Sequence, residues 1–163
     1  MMTDDEKLKA DILWKLYAEH CVQGRHHEVQ RSTVIGIVLA VSVAILGIAT
    51  LDKGLSGVSD IALSLFLVFL GLFGAGFSLK HYERFNLHMN RARFYRDELD
   101  RMITNQPIKN LKDQADEAHS KEFPWMKSWR LYRWWVALNL AISTLGVSIL
   151  VLAIWFPIIP PTP

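Results

Sequence analysis

Three apolar runs constrain this chain more than any other feature of its 163 residues. They are 32–51, STVIGIVLAVSVAILGIATL; 58–79, VSDIALSLFLVFLGLFGAGFSL; and 134–156, WWVALNLAISTLGVSILVLAIWF. An α-helix needs about 20 apolar residues to cross the hydrocarbon core of a bilayer, and each run approaches or exceeds that length. Their only charge is Asp60, at the mouth of the second run. Core helices of a soluble protein are seldom so long and so free of charge. The sequence therefore predicts an all-α membrane protein, with three transmembrane helices continuing into a cytoplasmic helical stalk.

Charge is segregated in the same way. Of 18 Lys and Arg, 17 lie within 1–31 or 80–133, as do 14 of 16 Asp and Glu. The 52–57 loop, DKGLSG, carries a single Lys. Because positive charge marks the cytoplasmic side, helix 1–31 and segment 80–133 are expected in the cytoplasm. The 52–57 loop and the 157–163 tail are then expected outside. Trp134, Trp135 and Trp155 fall at the two ends of the third run, where aromatic belts sit. The net charge of +2 is too small to point to nucleic acid by itself. One cysteine, Cys21, excludes an internal disulfide and a zinc site built on a cysteine pair. The first 31 residues begin acidic and the first apolar run comes late, so no secretory leader is expected.

The cytoplasmic parts read as helices. Residues 3–6, TDDE, match a capping box, and the helix that follows can run into the first span. Leu8, Ile12, Leu16 and Tyr17 make its expected packed face. After Lys80 the second helix continues, with Phe85, Met89, Ala92, Leu99 and Ile103 on one face and His81, His88, Tyr95 and Met102 at its edge. TNQPIKN, 104–110, supplies the turn. The outgoing and return legs hold 24 residues each, about 36 Å if both are helical. Pro124 is expected to break the return leg. Trp125, Trp129 and Tyr132, with Lys127, Arg130 and Arg133, then form an elbow ahead of the third span.

Small residues stripe all three spans: Gly36, Ala40, Ala44 and Gly47; Gly71, Gly74, Ala75 and Ser78; Ala137, Ala141, Thr144 and Ser148. Such stripes let helix backbones approach closely, either within one subunit or between subunits. Leu87 and Phe94 add a second apolar strip on the stalk, of the kind that marks a contact surface. A homo-oligomer is expected.

Chemistry is harder to find. His20 and His27 are seven apart, as are His81 and His88, on helices that should be neighbours. Four imidazoles there could serve zinc or sense pH, but no carboxylate at tight ligand spacing reinforces a metal site. Hydrogen-bonding histidines at a helix interface are the better reading, and no metal or cofactor is assigned. Arg84 and His88 are too close in sequence for the arginine–histidine motif of HEPN ribonucleases. No phosphate loop, Ser/His/Asp set or paired acid and base appears, so no enzyme is expected. Segment 80–133 holds 12 Lys and Arg against 8 Asp and Glu. Positive-inside topology and local pairs such as Asp97–Arg101 account for most of these. Arg96 points into the apolar face and should need an acidic partner, Glu19 or Glu28. If symmetry gathers several copies, Arg84, Arg91, Arg93 and Arg96 make a positive ring. Such a ring suits a nucleotide or single-stranded oligonucleotide, stacked on Phe85, Phe94 or Tyr95.

The layout resembles the SLATT superfamily of small prokaryotic membrane proteins. YAEHCVQGRHHEVQRST before the first span and HYERFNLHMNRARFYRDELD after the second carry the likeness, over about 1–103. The resemblance is one of architecture and involves no catalytic motif. The third span and its elbow are additions to the simplest pattern. The membrane effector of Hailong-type defence is similar in general plan. The resemblance implies a location in the bacterial inner membrane. It also implies an effector in nucleotide-linked antiphage, abortive-infection defence that oligomerises into a pore or channel. A partner nucleotidyltransferase would make the controlling oligonucleotide. Ser42, Ser143, Thr144 and Ser148 are the expected pore-lining residues. The alternative is a non-conducting membrane scaffold or partner subunit. A small transporter fits less well, because neither inverted repeats nor broken mid-membrane helices are visible.

Overall fold

The computed structural model describes residues 2–51 and 58–155. The 52–57 loop and the 157–163 tail, both expected outside, lie outside the described residues. Those residues are all-helical apart from turns. They form α1 (Asp4–Leu51), α2 (Val58–Arg101), α3 (Pro107–Glu122) and α4 (Leu131–Trp155), with a 3₁₀ turn at Met126–Ser128. Three of these helices, α1, α2 and α4, are long and apolar enough to cross a membrane.

The capping box at the head of α1 forms as its sequence dictates. The Thr3 backbone N–H donates to Glu6 Oε2 at 2.8 Å, and the Glu6 N–H donates to Thr3 Oγ1 at 3.3 Å. Asp4, Asp5 and Glu6 in the first turn also complement the helix dipole.

The chain divides into two compact units, each of which draws on both α1 and α2. The first holds the residues up to Val29 together with His81–Arg130; the second holds Gln30–Lys80 and the chain from Leu131 onward.

In the first unit, α1 meets α2 at Gly24, where an added Cβ would lie 3.0 Å from the Met89 sulfur. The packed face of α1 runs through Leu13, Leu16, Tyr17, His20, Gly24 and His27, while Leu8 and Ile12 are exposed. At 100° per residue, Ile12 and Leu8 lie about 80° and 120° away from His20. They drift off the face set by the close approach at Gly24, so the expected face is corrected at its N-terminal end.

A sharp turn joins α2 to α3. Asn105 and Gln106 adopt left-handed backbone conformations, with φ of 69° and 45°. Gln106 caps α3 with no side-chain bond of its own. Asp100, from the end of α2, does this instead: its carboxylate accepts from the Ile108 and Lys109 amides at 2.9 and 3.0 Å. Those amides would otherwise be orphans of the first turn, and Asp100 is itself buried. The return leg is shorter than the 24 residues the sequence allows. α3 stops at Glu122, ahead of Pro124, after 16 residues.

In the second unit, Val38, Ile45, Leu67 and Ile142 form the core. The backbones of α2 and α4 approach each other closely. A Cβ at Gly71 would lie 2.5 Å from the Ser143 nitrogen and 2.6 Å from the Asn139 carbonyl oxygen. A Cβ at Gly146 would lie 2.8 Å from the Val68 nitrogen. At Gly74 the place of a Cβ is taken by Asn139 Oδ1. Outside this packing, Phe66, Phe69, Phe73 and Phe77 run up α2 with centroid spacings of 6.3, 6.2 and 5.8 Å.

Candidate functional site

Of the four arginines named from the sequence, Arg84 and Arg91 both lie near His88, whereas Arg96 is turned towards α1. Arg84, Arg91 and Arg93 are exposed, and each that shows a contact shows a local one. Arg84 lies 3.6 Å from Glu83, and Arg93 donates to Asn90 Oδ1 at 3.0 Å. Arg96 is half-buried and pairs with Asp97, not with Glu19 or Glu28: its Nη2 and Nε lie 2.7 and 3.0 Å from Asp97 Oδ1. The carboxylate next in sequence reaches the guanidinium without crossing to another helix. Asp97 being taken, Arg101 pairs with Glu98 at 2.6 Å in place of the expected Asp97–Arg101 pair.

Arg96 also lines a cavity of about 370 Å³ in the first unit. Met2 and the α1 residues Ala10, Trp14 and Tyr17 form one wall; Leu99, Met102 and Ile103 of α2 and Ile108 of α3 form the rest. The Tyr17 phenol is pushed above its ordinary value, first by its hydrogen bond to Cys21 and then by burial. The lining is apolar, and the guanidinium it contains is already neutralised by Asp97. This wall suits hydrocarbon or an aromatic ring better than phosphate. Of the expected stacking residues, Tyr95 is occupied, with its ring stacked on His20 at 5.6 Å. Phe85 packs beside Gly24. Phe94 alone projects outward, 66% exposed.

The four histidines do come together. His20 Nδ1 lies 2.9 Å from His88 Nδ1, and His27 Nδ1 lies 3.4 Å from His81 Nδ1. The two pairs touch through a stack of His27 on His88, with centroids 5.3 Å apart. With Tyr95 the rings form one column, ordered Tyr95, His20, His88, His27, His81. The contacts run in opposite order along α1 and α2, which pairs the lower-numbered histidine of one helix with the higher of the other. Burial pushes the His27 and His88 imidazoles below their ordinary value. His88, His26 and Arg84 add to the shift at His27 and Glu83 opposes it. At His88 the further contributions are His20, Arg91 and Arg84, against Glu19. Among the described residues, no three His, Cys, Asp or Glu side chains are arranged to hold one metal ion.

The four hydroxyl residues expected in a pore divide into two pairs. Ser42 and Ser143 are buried against the chain's own helices. Thr144 and Ser148 are exposed on α4 and donate to the Leu140 and Thr144 carbonyls at 2.9 and 3.0 Å. Those i−4 bonds satisfy each hydroxyl without a partner helix. The small-residue stripes divide similarly. Gly71, Gly74, Ala75 and Ser78 of α2 are all buried, whereas Gly36, Ala40 and Ala44 of α1 are exposed, as are Ala137 and Ala141 of α4. A Cβ at Gly36 would meet nothing within 4 Å.

Sequence reasoning missed Asn139, the most deeply buried polar side chain of the second unit along with Ser78. Its Nδ2 donates to the Trp135 carbonyl at 2.8 Å, while Oδ1 has no hydrogen-bond partner. Oδ1 sits where a side chain at Gly74 would begin, so any larger residue there would collide with it. The signal was an amide alone in the run WWVALNLAIS, on the same face as Ser143 and Gly146. Compared with protein-family models, curated proteins and solved structures, the chain matches none of them.

Proposed function

We propose that this chain is the subunit of an oligomeric membrane pore whose opening is controlled from its cytoplasmic helices. The observation that carries the reading is the division of the small-residue stripes. Two of the three, at Gly36, Ala40 and Ala44 of α1 and at Ala137, Ala141, Thr144 and Ser148 of α4, lie on apolar helices and are exposed among the described residues. In lipid, small residues on a helix face are worth most where another helix packs on them, and the uncovered stripes supply such faces for other copies. Thr144 and Ser148 on the α4 face are the hydroxyls available to a pore lining. Ser42 and Ser143 face inward and are available only if the helices rearrange. Orientation follows the positive-inside rule, with the N-terminus and the stalk in the cytoplasm of the bacterial inner membrane.

Control by a nucleotide or single-stranded oligonucleotide, and a role in antiphage defence, rest on the resemblance to the SLATT superfamily. The exposed Arg84, Arg91 and Arg93 support an anionic ligand best where several copies bring them around one axis. Arg96 contributes less than the sequence implied, since Asp97 neutralises it. Charge reversal at Arg91 and Arg93 should weaken oligonucleotide binding, and wild-type binding should fall steeply with salt. Binding that is unchanged by the substitutions and insensitive to salt would remove the basic site.

One observation favours a second reading, a non-conducting scaffold or partner subunit. With two of the four hydroxyls buried, the polar face left for a water-filled path is thin. Planar-bilayer recording of the purified protein separates the two. Stepwise conductance supports the pore, and silence with and without oligonucleotide leaves the scaffold.

A further inference from the structure

The histidine column has a property that neither the pore nor its ligand requires. A contact between two Nδ1 atoms at hydrogen-bond distance needs one nitrogen to carry a proton and the other to present a lone pair. His20–His88, at 2.9 Å, and His27–His81, at 3.4 Å, are both of this kind. In a neutral pair, the donor ring holds its proton on Nδ1 and the acceptor ring holds its proton on Nε2. One extra proton can settle on the donor's Nε2, leaving the bond intact and charge-assisted. A second must enter at the acceptor's Nδ1, where it replaces the lone pair and sets two N–H groups against each other. Each pair therefore tolerates one added proton and is broken by two.

We propose that these four histidines are a proton-operated clamp between α1 and α2, closed when neutral and released when acid drives the second proton into each pair. Three features of the site make release cooperative. The pairs touch through the His27–His88 stack, so charge on one disfavours charge on the other until the column separates. Every His–His contact in the column joins α1 to α2, so losing them separates the helices and does not merely rotate a side chain. Finally, the charged groups acting on the column are of both signs: Glu19 and His26 from α1, and Glu83, Arg84 and Arg91 from α2. The arginines oppose protonation of the closed column, and Glu19 and Glu83 only partly offset them. Tyr95 closes the column at the His20 end.

The direction with pH follows from burial. His27 and His88 lie below the ordinary histidine value of about 6.5 when folded. Between their folded values and 6.5, the unfolded chain binds more protons than the folded one. The stability they contribute is complete above 6.5 and is lost as pH falls through that value towards the folded ones. Acidification of the compartment facing these helices would thus loosen the first unit. The inference concerns the first unit alone and stands whether or not the protein conducts.

The test is amide hydrogen exchange of the full chain in lipid nanodiscs, corrected for intrinsic rates, from pH 7.5 to 5. Protection of 18–28 and 81–92 should fall below pH 6.5. The opening equilibrium should rise by about a hundredfold per pH unit where two protons are taken up, against about tenfold for one. Protection at Gly71–Ser78 should not change. The double variant His27→Gln, His88→Gln, whatever its protection at pH 7.5, should lose none of it between pH 7.5 and 5. Wild-type protection that is flat over the range, or equal loss in the variant, would overturn the clamp. If the variant does not fold, ¹⁵N titration of the wild-type imidazoles decides: the inner two should titrate below 6.5 in coupled steps. Four independent titrations near 6.5 would refute the proposal.

Discussion

The small-residue stripes of α2 and α1 look alike in sequence and meet different fates. Gly71, Gly74, Ala75 and Ser78 are buried; the α4 backbone at Asn139 and Ser143 presses on Gly71, and the Asn139 side chain on Gly74. Gly36, Ala40 and Ala44 also recur at helical spacing and are as small, but they are exposed. α4 repeats the contrast within one helix. Asn139, Ser143 and Gly146 face α2, while Ala137, Ala141, Thr144 and Ser148 face away. Small residues therefore permit close approach without choosing the partner. The choice is made by which faces can interdigitate backbone to backbone.

Substitutions on the buried stripe should have the largest effect. Gly71→Leu or Gly146→Leu drives a side chain into backbone atoms that no rotamer change can move. A loss of about 3 kcal/mol is expected, read as a lower unfolding midpoint in detergent. A neighbouring pair on α4 comes next: Ser143→Leu should cost about 2 kcal/mol by overpacking, whereas Thr144→Leu should leave stability nearly unchanged. Equal effects would show that the two faces are not distinct. The smallest effect on folding belongs to the exposed stripe. Gly36→Leu and Ala44→Leu should each change the stability of the isolated subunit by less than about 0.5 kcal/mol, since both positions are exposed among the described residues.

Much of the fold was legible because its strongest signals are local. A helix long enough to cross a bilayer must be written as an unbroken apolar run, and three such runs were present. The capping box at Thr3 and Glu6 is likewise a short-range pattern. What escaped depends on contacts between segments. Asp100 caps α3 only because Asn105 and Gln106 adopt left-handed conformations and bring Ile108 and Lys109 back to it. Nothing in TNQP reveals that partner. α4 carries two small faces at helical spacing, and periodicity cannot say which one packs. The histidine spacing of seven indicated that four imidazoles share a face, but the pairing of His20 with His88 and of His27 with His81 follows from how α1 and α2 align. The arginines are a different case: a ring gathered from several copies is not visible in one chain, where Arg84, Arg93 and Arg96 contact Glu83, Asn90 and Asp97.

The exposed stripe of α1 is proposed to be a contact between copies, and native mass spectrometry of the protein in lipid nanodiscs tests this most directly. The wild-type chain should give a closed oligomer of defined mass. The Gly36→Leu, Ala44→Leu variant, with unchanged helix content, should give a smaller species or a monomer. A wild-type monomer, or a variant that assembles to the wild-type mass, would contradict it.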